Sequence, residues 1–274
     1  MSIKMKVGKI VNSFLMKTGY KIVTVDPKFR RTYAEGQLLK ALKELSALHN
    51  KLIFNTELTT DEESLRLLSD SMYTRFSTGL YLIDYLHQSL ILEGEVCEFG
   101  TGQGVISALL AYEIKNTKKN IWLFDSFEGF AKPSEKDILI NDVFHLGSVE
   151  DYKGMMSFPE DMIRARLSAI NFPLDRIRII PGFIEKTIQG PKLPERVCFA
   201  YVDFDFYDPI LIALDFLDTV IQPGGFIVID DYNFFSKGAK TAADEFYDSR
   251  KERDFRIFPT KTGENFCILC RKTE

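Results

Sequence analysis

The chain has 274 residues, of which 45% are hydrophobic and 27% are charged, and its formal net charge is −4. This balance is typical of a globular protein with one large domain, and it excludes disordered, collagen-like and coiled-coil chains. The negative charge disfavours a nucleic-acid-binding surface, and no apolar run approaches the ~20 residues of a membrane span. Four cysteines are too few for a disulfide scaffold, which favours reduced thiols and a cytoplasmic protein.

Residues 1–70 predict a helical N-terminal extension. Leucines recur at helical spacing over residues 34–49. Thr60 with Glu63 forms a capping box, which predicts a helix over residues 60–72. A further apolar stripe predicts a helix over residues 80–92.

The basic start of the chain has a short amphipathic pattern, in which Ile10, Val11, Phe14 and Leu15 share one helical face. Such a face usually docks on the protein's own body or on a second subunit, so we expect a homo-oligomer. A weak peripheral contact with a membrane surface is the alternative.

From residue 94 onward, short apolar runs alternate with helical segments such as residues 105–115 and 160–170. This alternation predicts an α/β protein with a mostly parallel sheet and helices on both faces. The last two runs predict an antiparallel pair. The predicted strands are residues 96–99, 121–124, 177–180, 197–202, 226–229, 255–258 and 266–269.

Residues 131–176 are too long for a simple connection between a strand and the next helix. Long excursions of this kind, at the carboxyl end of a strand, are often lids over a binding site. The segment contains His145, one of three histidines in the chain. We therefore expect a lid-like insertion in which His145 is a candidate proton acceptor.

A glycine-rich loop at residues 98–104 (EFGTGQG) follows the first predicted strand and opens a helix. Its glycines allow a ligand to approach the backbone, which suits a dinucleotide, a flavin or S-adenosylmethionine. The spacing differs from the G-x-G-x-x-G of dinucleotide sites, and Glu98 suits a cationic amine or sulfonium better than a pyrophosphate. Asp125 ends the second strand, where it predicts hydrogen bonds to the ribose hydroxyls that NAD and S-adenosylmethionine share.

Two pairs of aspartates follow two predicted strands, Asp203 and Asp205 after one, and Asp230 and Asp231 after the next. The carboxyl ends of neighbouring parallel strands meet at one sheet edge, so we expect these carboxylates to converge. Without a cation they would repel one another, and oxygen-only ligands favour Mg²⁺ or Ca²⁺ over zinc, with Mn²⁺ as a further alternative. Beside a methyl donor, such an ion would activate and orient an acceptor hydroxyl, with Asp205 or His145 accepting the proton.

Together these motifs resemble the macrocin O-methyltransferase family, which consists of metal-dependent sugar O-methyltransferases of the class I fold. The resemblance runs from about residue 71 to residue 250. It is carried by residues 98–104, 122–129 (WLFDSFEG), 181–187 (PGFIEKT), 203–208 (DFDFYD) and 223–232 (PGGFIVIDDY).

The resemblance implies a Rossmann-like, seven-stranded sheet with an antiparallel last strand, in a methyltransferase domain of residues 71–274. It also implies that Asp203, Asp230 and Asp231 hold Mg²⁺ and that Asp205 is the base. The cofactor-binding residues expected around the loop and the second strand are Glu98, Gly100, Thr101, Gly102, Gly104, Asp125, Ser126 and Phe127.

The preferred function is an S-adenosylmethionine- and Mg²⁺-dependent O-methyltransferase that acts on a hydroxyl of a sugar or of a glycosylated small molecule. One alternative is an NAD-dependent Rossmann oxidoreductase, which Glu98 and the loop spacing disfavour. The other is a non-catalytic interaction protein on an S-adenosylmethionine-binding fold, which the intact set of four aspartates disfavours.

Overall fold

The computed structural model describes residues 27–54, 60–69, 76–250, 254–258 and 265–273, so the amphipathic pattern at residues 10–15 lies outside the described residues. Three helices precede the sheet: α1 (Pro27–His49), which continues into a π-helical turn (Asn50–Phe54), α2 (Glu62–Ser69) and α3 (Phe76–Ser89). The later elements are β1 (Glu95–Phe99), α4 (Val105–Ile114), β2 (Ile121–Asp125), α5 (Glu160–Ala169), β3 (Ile177–Pro181), α6 (Ile184–Thr187), β4 (Val197–Val202), α7 (Tyr207–Val220), β5 (Ile221–Ile229), α8 (Lys237–Arg250), β6 (Phe255–Phe258) and β7 (Cys267–Arg271).

The described strands form one seven-stranded sheet in the order β3-β2-β1-β4-β5-β7-β6. The strands from β3 to β5 pair in parallel, whereas β7 runs antiparallel to both of its neighbours. This topology confirms the predicted class I methyltransferase fold. The structure places the start of β5 at Ile221 rather than at residue 226, because Ile221 pairs with Val197. The register between β4 and β5 then shifts at the Pro-Gly-Gly run before Phe226.

Both faces of the sheet are covered by helices, which explains why its central strands are continuous apolar runs. All six residues of β4 are buried. On one face, Val228 of β5 belongs to the same core as Leu109 of α4. On the other face, Ile227 belongs to the same core as Leu214 of α7. The functional edge of the sheet is therefore held from both sides by packed helices.

The N-terminal helices pack against the first of these two faces, where Leu65 and Leu68 of α2 are buried. The predicted capping box at Thr60 is wrong in one detail. Asp61 caps α2 by accepting the Glu63 N–H at 2.8 Å, whereas Thr60 Oγ1 shares a hydrogen bond with Ser46 Oγ at 2.5 Å.

The division of the chain near residue 70 stays a prediction. None of the helices in the described ranges combines the length and apolarity that crossing a bilayer requires.

The segment from residue 131 to residue 176 has a small core of its own. Tyr152 is fully buried against Phe206 and Phe235, which follow β4 and β5 respectively. Its helix α5 packs on α4, and Arg166 Nε donates to the Gln103 carbonyl of the glycine-rich loop at 2.7 Å. The insertion is therefore fixed both to the glycine-rich loop and to the ends of the strands that bear the aspartates, and its action as a lid stays a prediction.

Candidate active site

The glycine-rich loop between β1 and α4 has a backbone that glycine favours. Gly100, Gly102 and Gly104 have φ values of 85°, 47° and 75°, in the left-handed region that L side chains rarely adopt. A Cβ added at Gly100 would lie 1.9 Å from the Asp203 carbonyl oxygen, whereas one added at Gly102 would meet nothing within 4 Å. The loop thus contacts the end of β4 at Gly100 and is open at Gly102.

Asp125 holds this loop in place through both of its carboxylate oxygens. Oδ2 accepts the Thr101 N–H at 2.7 Å, the Thr101 hydroxyl at 2.9 Å and the Gly102 N–H at 3.3 Å. Oδ1 accepts the Phe127 N–H at 2.7 Å. The structure therefore gives Asp125 a clear role in shaping the loop, and its binding of ribose hydroxyls stays a prediction.

Glu98, on β1, is only 1% exposed and lines the cavity beside the loop. Its Oε2 accepts a hydrogen bond from the Ser107 hydroxyl at the start of α4. Burial raises the pKa of the Glu98 carboxyl well above its usual range. A cationic group placed beside Glu98 would favour the charged carboxylate and relieve the cost of its burial.

The turn after β2 contains the other two predicted cofactor residues. Ser126 Oγ accepts the Glu128 N–H at 3.0 Å and donates to the Gly129 carbonyl at 3.1 Å. Phe127 has a φ of 58°, which is uncommon and strained for a bulky side chain. Ser126 lines the cavity, and Phe127 is not among its lining residues.

The cavity at the carboxyl edge of the sheet has a volume of about 430 Å³, within the usual range of small-molecule sites. The glycine-rich loop and Asp125 line one wall. The second wall carries the four aspartates, which shows that the two strand ends converge as predicted. The insertion and the segment after β5 add an apolar wall of Phe130, Val143, Phe144, Met156, Phe234 and Phe235.

Three of the four aspartates are close enough to share one cation. β4 and β5 pair in parallel up to Val202 and Ile229, so the next residues of both strands leave the sheet at the same edge. Carboxylate oxygens of Asp203, Asp205 and Asp231 lie within 4.8 Å of one another, and no other metal-type group occurs among the described residues. This group differs from the predicted set by containing Asp205 in place of Asp230.

Asp230 is held by a residue that the sequence did not single out. The Tyr201 hydroxyl donates to Asp230 Oδ2 and lies 3.2 Å from Asp203 Oδ2. The Asp231 N–H donates to Asp230 Oδ1 at 2.8 Å. Tyr201 is fully buried in β4. The sequence did contain a signal for this role of Tyr201. Residues two apart in a strand face the same side, and Tyr201 precedes Asp203 by two residues.

The electrostatics of the cluster fit a divalent cation. Burial raises the pKa of the Asp203 carboxyl well above its usual range, and the Asp230 and Asp231 charges raise it further. Burial also raises the pKa of Asp205 to about 7, although a hydrogen bond with Asp231 lowers it. Crowded carboxylates at this half-buried edge are unfavourable, and a hard cation that prefers oxygen ligands, such as Mg²⁺, would offset this repulsion.

Backbone strain marks the same strand ends. Asp205 has a φ of 63° and Asp231 a φ of 51°, so both adopt the left-handed region without being glycine. Strained residues of this kind persist where the surrounding structure fixes them, and they cluster at functional sites. The surrounding structure therefore fixes the backbone of both aspartates, and with it the direction of their carboxyl groups.

Asp137 connects the insertion to both aspartate-bearing loops and is only 3% exposed. Its Oδ1 accepts the Tyr207 N–H at 2.9 Å and the Ser236 hydroxyl at 3.0 Å. Its Oδ2 accepts the Ser134 N–H at 2.7 Å and the Ser134 hydroxyl at 2.9 Å. A Cβ added at Gly238 would lie 1.7 Å from Oδ1, so only glycine leaves room there. The sequence pattern does not reveal this role of Asp137, because Tyr207 and Ser236 lie 70 and 99 residues away along the chain.

His145 is placed apart from the carboxylates. Its side chain is exposed, and it is not among the residues that line the cavity, although its neighbours Val143 and Phe144 are. Its backbone has a φ of 56°, and its N–H donates to the Asp142 carbonyl at 3.1 Å. Asp205 lines the cavity, so geometry favours Asp205 over His145 as the proton acceptor.

The sheet topology and the loop beside the aspartates define a class I methyltransferase. The chain belongs to the Macrocin-O-methyltransferase (TylF) family, whose model matches residues 82–256. This match confirms the resemblance seen in the motifs, and it favours a methyltransferase over the NAD-dependent oxidoreductase.

Two curated relatives are similar over part of the chain. The 8-demethyl-8-(2,3-dimethoxy-alpha-L-rhamnosyl)-tetracenomycin-C 4'-O-methyltransferase of Streptomyces olivaceus is 27% identical over 142 residues, which are 51% of this chain and 53% of that protein. The Mycinamicin III 3''-O-methyltransferase of Micromonospora griseorubida is 28% identical over 145 residues, which are 52% of each chain. The chain thus spans about half the length of the curated relatives it matches.

Solved structures share the fold over most of the chain. The O-methyltransferase NovP has a TM-score of 0.59 at 18% identity, covering 87% of this chain and 99% of that one. The calicheamicin methyltransferase CalS11 has a TM-score of 0.56 at 19% identity, covering 90% of this chain and 94% of that one. At this identity the likeness establishes the methyltransferase fold.

Proposed function

We propose that this protein transfers a methyl group from S-adenosylmethionine to a hydroxyl of a sugar or of a glycosylated small molecule, with Mg²⁺, or Mn²⁺ in its place. One observation carries the proposal. The glycine-rich loop and the carboxylate cluster line a single cavity and meet where Gly100 contacts the Asp203 carbonyl. Methyl transfer needs donor and acceptor in line and close together, and adjacent sites for the two satisfy this need.

On the cofactor side, S-adenosylmethionine would supply the electrophilic methyl group. The open backbone at Gly102 allows the cofactor to approach closely, and Asp125 keeps that backbone in shape. Buried Glu98 would pair with the cationic part of the cofactor. The proposed cofactor-binding residues are Glu98, Gly100, Thr101, Gly102, Gly104, Asp125, Ser126 and Phe127.

On the acceptor side, Asp203 and Asp231 would hold Mg²⁺, which lowers the pKa of a hydroxyl bound to it. Asp230 is the third ligand of the proposed set, with Tyr201 fixing its orientation. Asp205 lines the cavity within 4.8 Å of the group and would accept the proton of the acceptor hydroxyl. His145 is the second candidate for that proton, because it lies beside two lining residues.

The proposed acceptor class rests on the relatives and on the apolar wall. The name of the tetracenomycin relative specifies O-methylation of a product that carries a rhamnosyl group, and the second relative is a Mycinamicin III 3''-O-methyltransferase. The aromatic rings of the apolar wall, Phe130, Phe144, Phe234 and Phe235, offer faces against which a sugar ring or an apolar aglycone could pack.

Thermal denaturation with ligands tests the cofactor. S-adenosylhomocysteine at 100 times its Kd should add about 2.7 kcal/mol of stability, whereas NAD should add none. Mg²⁺ should add a further increase that EDTA removes. Stabilisation by NAD alone would contradict the proposal.

Three further properties belong to the proposal. A cytoplasmic location is supported by four free cysteines, of which three are buried. A role without nucleic acid is supported by the net charge of −4. Self-association as a homo-oligomer is supported by exposed leucines on α1, and a weak peripheral contact with a membrane surface is the lesser alternative for the N-terminal segment.

A further inference from the structure

Asp137, in the insertion, contacts both aspartate-bearing loops without lining the cavity. Its Oδ1 accepts the Tyr207 N–H at 2.9 Å and the Ser236 hydroxyl at 3.0 Å. Tyr207 lies two residues after Asp205. Ser236 lies five residues after Asp231. One carboxylate oxygen therefore links the backbone that follows each of two clustered aspartates.

The turn that carries Asp205 is of a kind that needs support. Asp205 has a φ of 63°, and the Phe206 N–H donates to the Phe204 carbonyl at 2.6 Å across it. A hydrogen bond over three residues with a positive φ at the centre is the γ-turn that is rare and strained. Such strain persists only where neighbouring contacts fix the backbone. The next N–H after this γ-turn belongs to Tyr207, and Asp137 accepts it.

Asp137 also caps α7. The first N–H groups of a helix lack partners within the helix, and negative charge is favourable there. Phe206, the residue before α7, has no polar atom in its side chain. The Asp137 carboxylate supplies the missing acceptor from 70 residues away in the sequence. The insertion thus fixes the place where the γ-turn passes into the helix.

The loop after β5 is bound to the insertion beside Asp137. The Ile140 N–H donates to the Phe235 carbonyl at 2.9 Å. The Lys237 N–H donates to the Ile138 carbonyl, also at 2.9 Å. These two backbone bonds flank the serine hydroxyl whose hydrogen bond Asp137 accepts. The position of this loop, and of the aspartates at its start, therefore depends on the same segment that fixes the γ-turn.

We propose that Asp137 is a positioning residue of the proposed cation site, which sets the separation of the Asp205 and Asp231 carboxyl groups by holding both loops. The inference rests on the proposed function, because it takes the aspartate cluster as that site. Oxygens of this cluster lie within 4.8 Å of one another, and the loss of a residue that orients ligands typically lowers metal affinity about 10–100-fold. A carboxylate suits this task, since its two oxygens can accept about four hydrogen bonds, and Asp137 accepts four.

Two serine variants separate the two sides of Asp137. Ser236 and Ser134 each donate a hydroxyl hydrogen bond to Asp137. Each also accepts one backbone N–H, from the residue two positions further on. Ser236→Ala loosens the loop after β5 and should raise the Kd for Mn²⁺ about tenfold, whereas Ser134→Ala loosens the insertion alone and should leave that Kd unchanged. Electron paramagnetic resonance measures both constants on the full-length protein well below its melting temperature.

Asp137→Asn keeps the shape of the side chain and removes one acceptor. Its NH₂ group then faces either the Tyr207 N–H or the Ser134 N–H, and both are donors. The Kd for Mn²⁺ should rise about 10–100-fold and kcat should fall, while the Kd for S-adenosylhomocysteine stays unchanged. A purely structural role would lower the melting temperature and leave the Mn²⁺ affinity of the folded protein intact. If the variant does not fold, the serine pair decides.

Two results would overturn the inference and leave the proposed function in place. One is equal Mn²⁺ affinity of Ser236→Ala and Ser134→Ala, and the other is a folded Asp137→Asn protein with wild-type Mn²⁺ affinity. Failure of the proposed function looks different, because the wild-type protein itself would then bind no Mn²⁺, and the inference would fall with the cation site.

Discussion

On the cofactor wall of the cavity, Asp125 directs both carboxylate oxygens at hydrogen-bond donors of its own chain. On the opposite wall, Asp203, Asp205 and Asp231 crowd within 4.8 Å, and the pKa values of Asp203 and Asp205 are raised. The hydrogen bonds of the Asp125 carboxylate are satisfied without a ligand, whereas the crowded aspartates become favourable when positive charge is added. Hydrogen bonds within the chain shape the loop on one wall, whereas the aspartates on the other wall are the proposed cation site.

The largest expected effect comes from removing a proposed cation ligand. Asp203→Asn should lower turnover and Mn²⁺ affinity by more than the ~10–100-fold typical of outer-shell changes. Binding of S-adenosylhomocysteine should stay nearly intact, because the cofactor wall is separate. Turnover with a sugar acceptor, Mn²⁺ binding by electron paramagnetic resonance, and cofactor binding by calorimetry measure the three quantities.

The matched control for that change is Asp208→Asn. Asp208 is an exposed acid in the first turn of α7 and does not line the cavity. Its variant should behave as the wild type in all three measurements. Equal turnover of Asp203→Asn and the wild type would show that the second wall does not depend on a cation.

A smaller effect is expected from Tyr201→Phe, which removes the buried hydroxyl between Asp203 and Asp230 and keeps the ring. Outer-shell groups orient metal ligands, so Mn²⁺ affinity should fall about 10–100-fold. The melting temperature in EDTA should fall by a few degrees, because Asp230 loses a buried hydrogen-bond donor. Tyr207→Phe is the control, because the Tyr207 hydroxyl binds Glu245 outside the cluster. Unchanged Mn²⁺ affinity in Tyr201→Phe would remove Tyr201 from the site.

Asp125→Asn should affect the first wall alone. An asparagine would turn its NH₂ group toward N–H donors whose hydrogen bonds the Asp125 carboxylate accepts. Each hydrogen bond to a charged group contributes about 1.5–3 kcal/mol to stability. We expect the Kd for S-adenosylhomocysteine to rise about tenfold or more, with Mn²⁺ affinity unchanged. A parallel loss of Mn²⁺ affinity would mean that the two walls are coupled.

The smallest effect is a change of stability with pH. The pKa of Asp205 is about 7 in the folded protein, above the ~3.9 of an unperturbed aspartate. This difference stabilises the fold below pH ~4, and the stabilisation is lost as pH rises through about 7. The metal-free protein should therefore melt a few degrees lower at pH 8 than at pH 5.5, and Mg²⁺ should restore the loss at pH 8. A melting temperature that rises with pH in EDTA would contradict this account.

Much of the fold could be predicted because its signals are local. Continuous apolar runs ending in glycine, proline or aspartate mark the strands, and the parallel arrangement then places Asp203 and Asp230 at one edge. Gly100, Gly102 and Gly104 mark the loop that a ligand can approach closely, and this signal is local as well.

The remaining features depend on distances across the fold that sequence patterns do not contain. Asp125 points into the glycine-rich loop rather than outward, which depends on the packing of β1 beside β2. Tyr201 reaches Asp230 only because β4 and β5 are neighbours. For His145 the residue type suggested a proton acceptor, but the folding of the insertion leaves its side chain exposed.

The buried Asp137 carboxylate has a consequence for exchanging the insertion of residues 131–176 between related enzymes. It joins the insertion to the first residue of α7 and to Ser236, and Gly238 leaves the space that it occupies. A transplanted insertion that lacks this acid would leave two donors without a partner deep inside the protein. Chimeras designed to change substrate preference must therefore preserve these contacts together, because residues distant in sequence form one hydrogen-bonded contact here. The four positions are Asp137, Tyr207, Ser236 and Gly238.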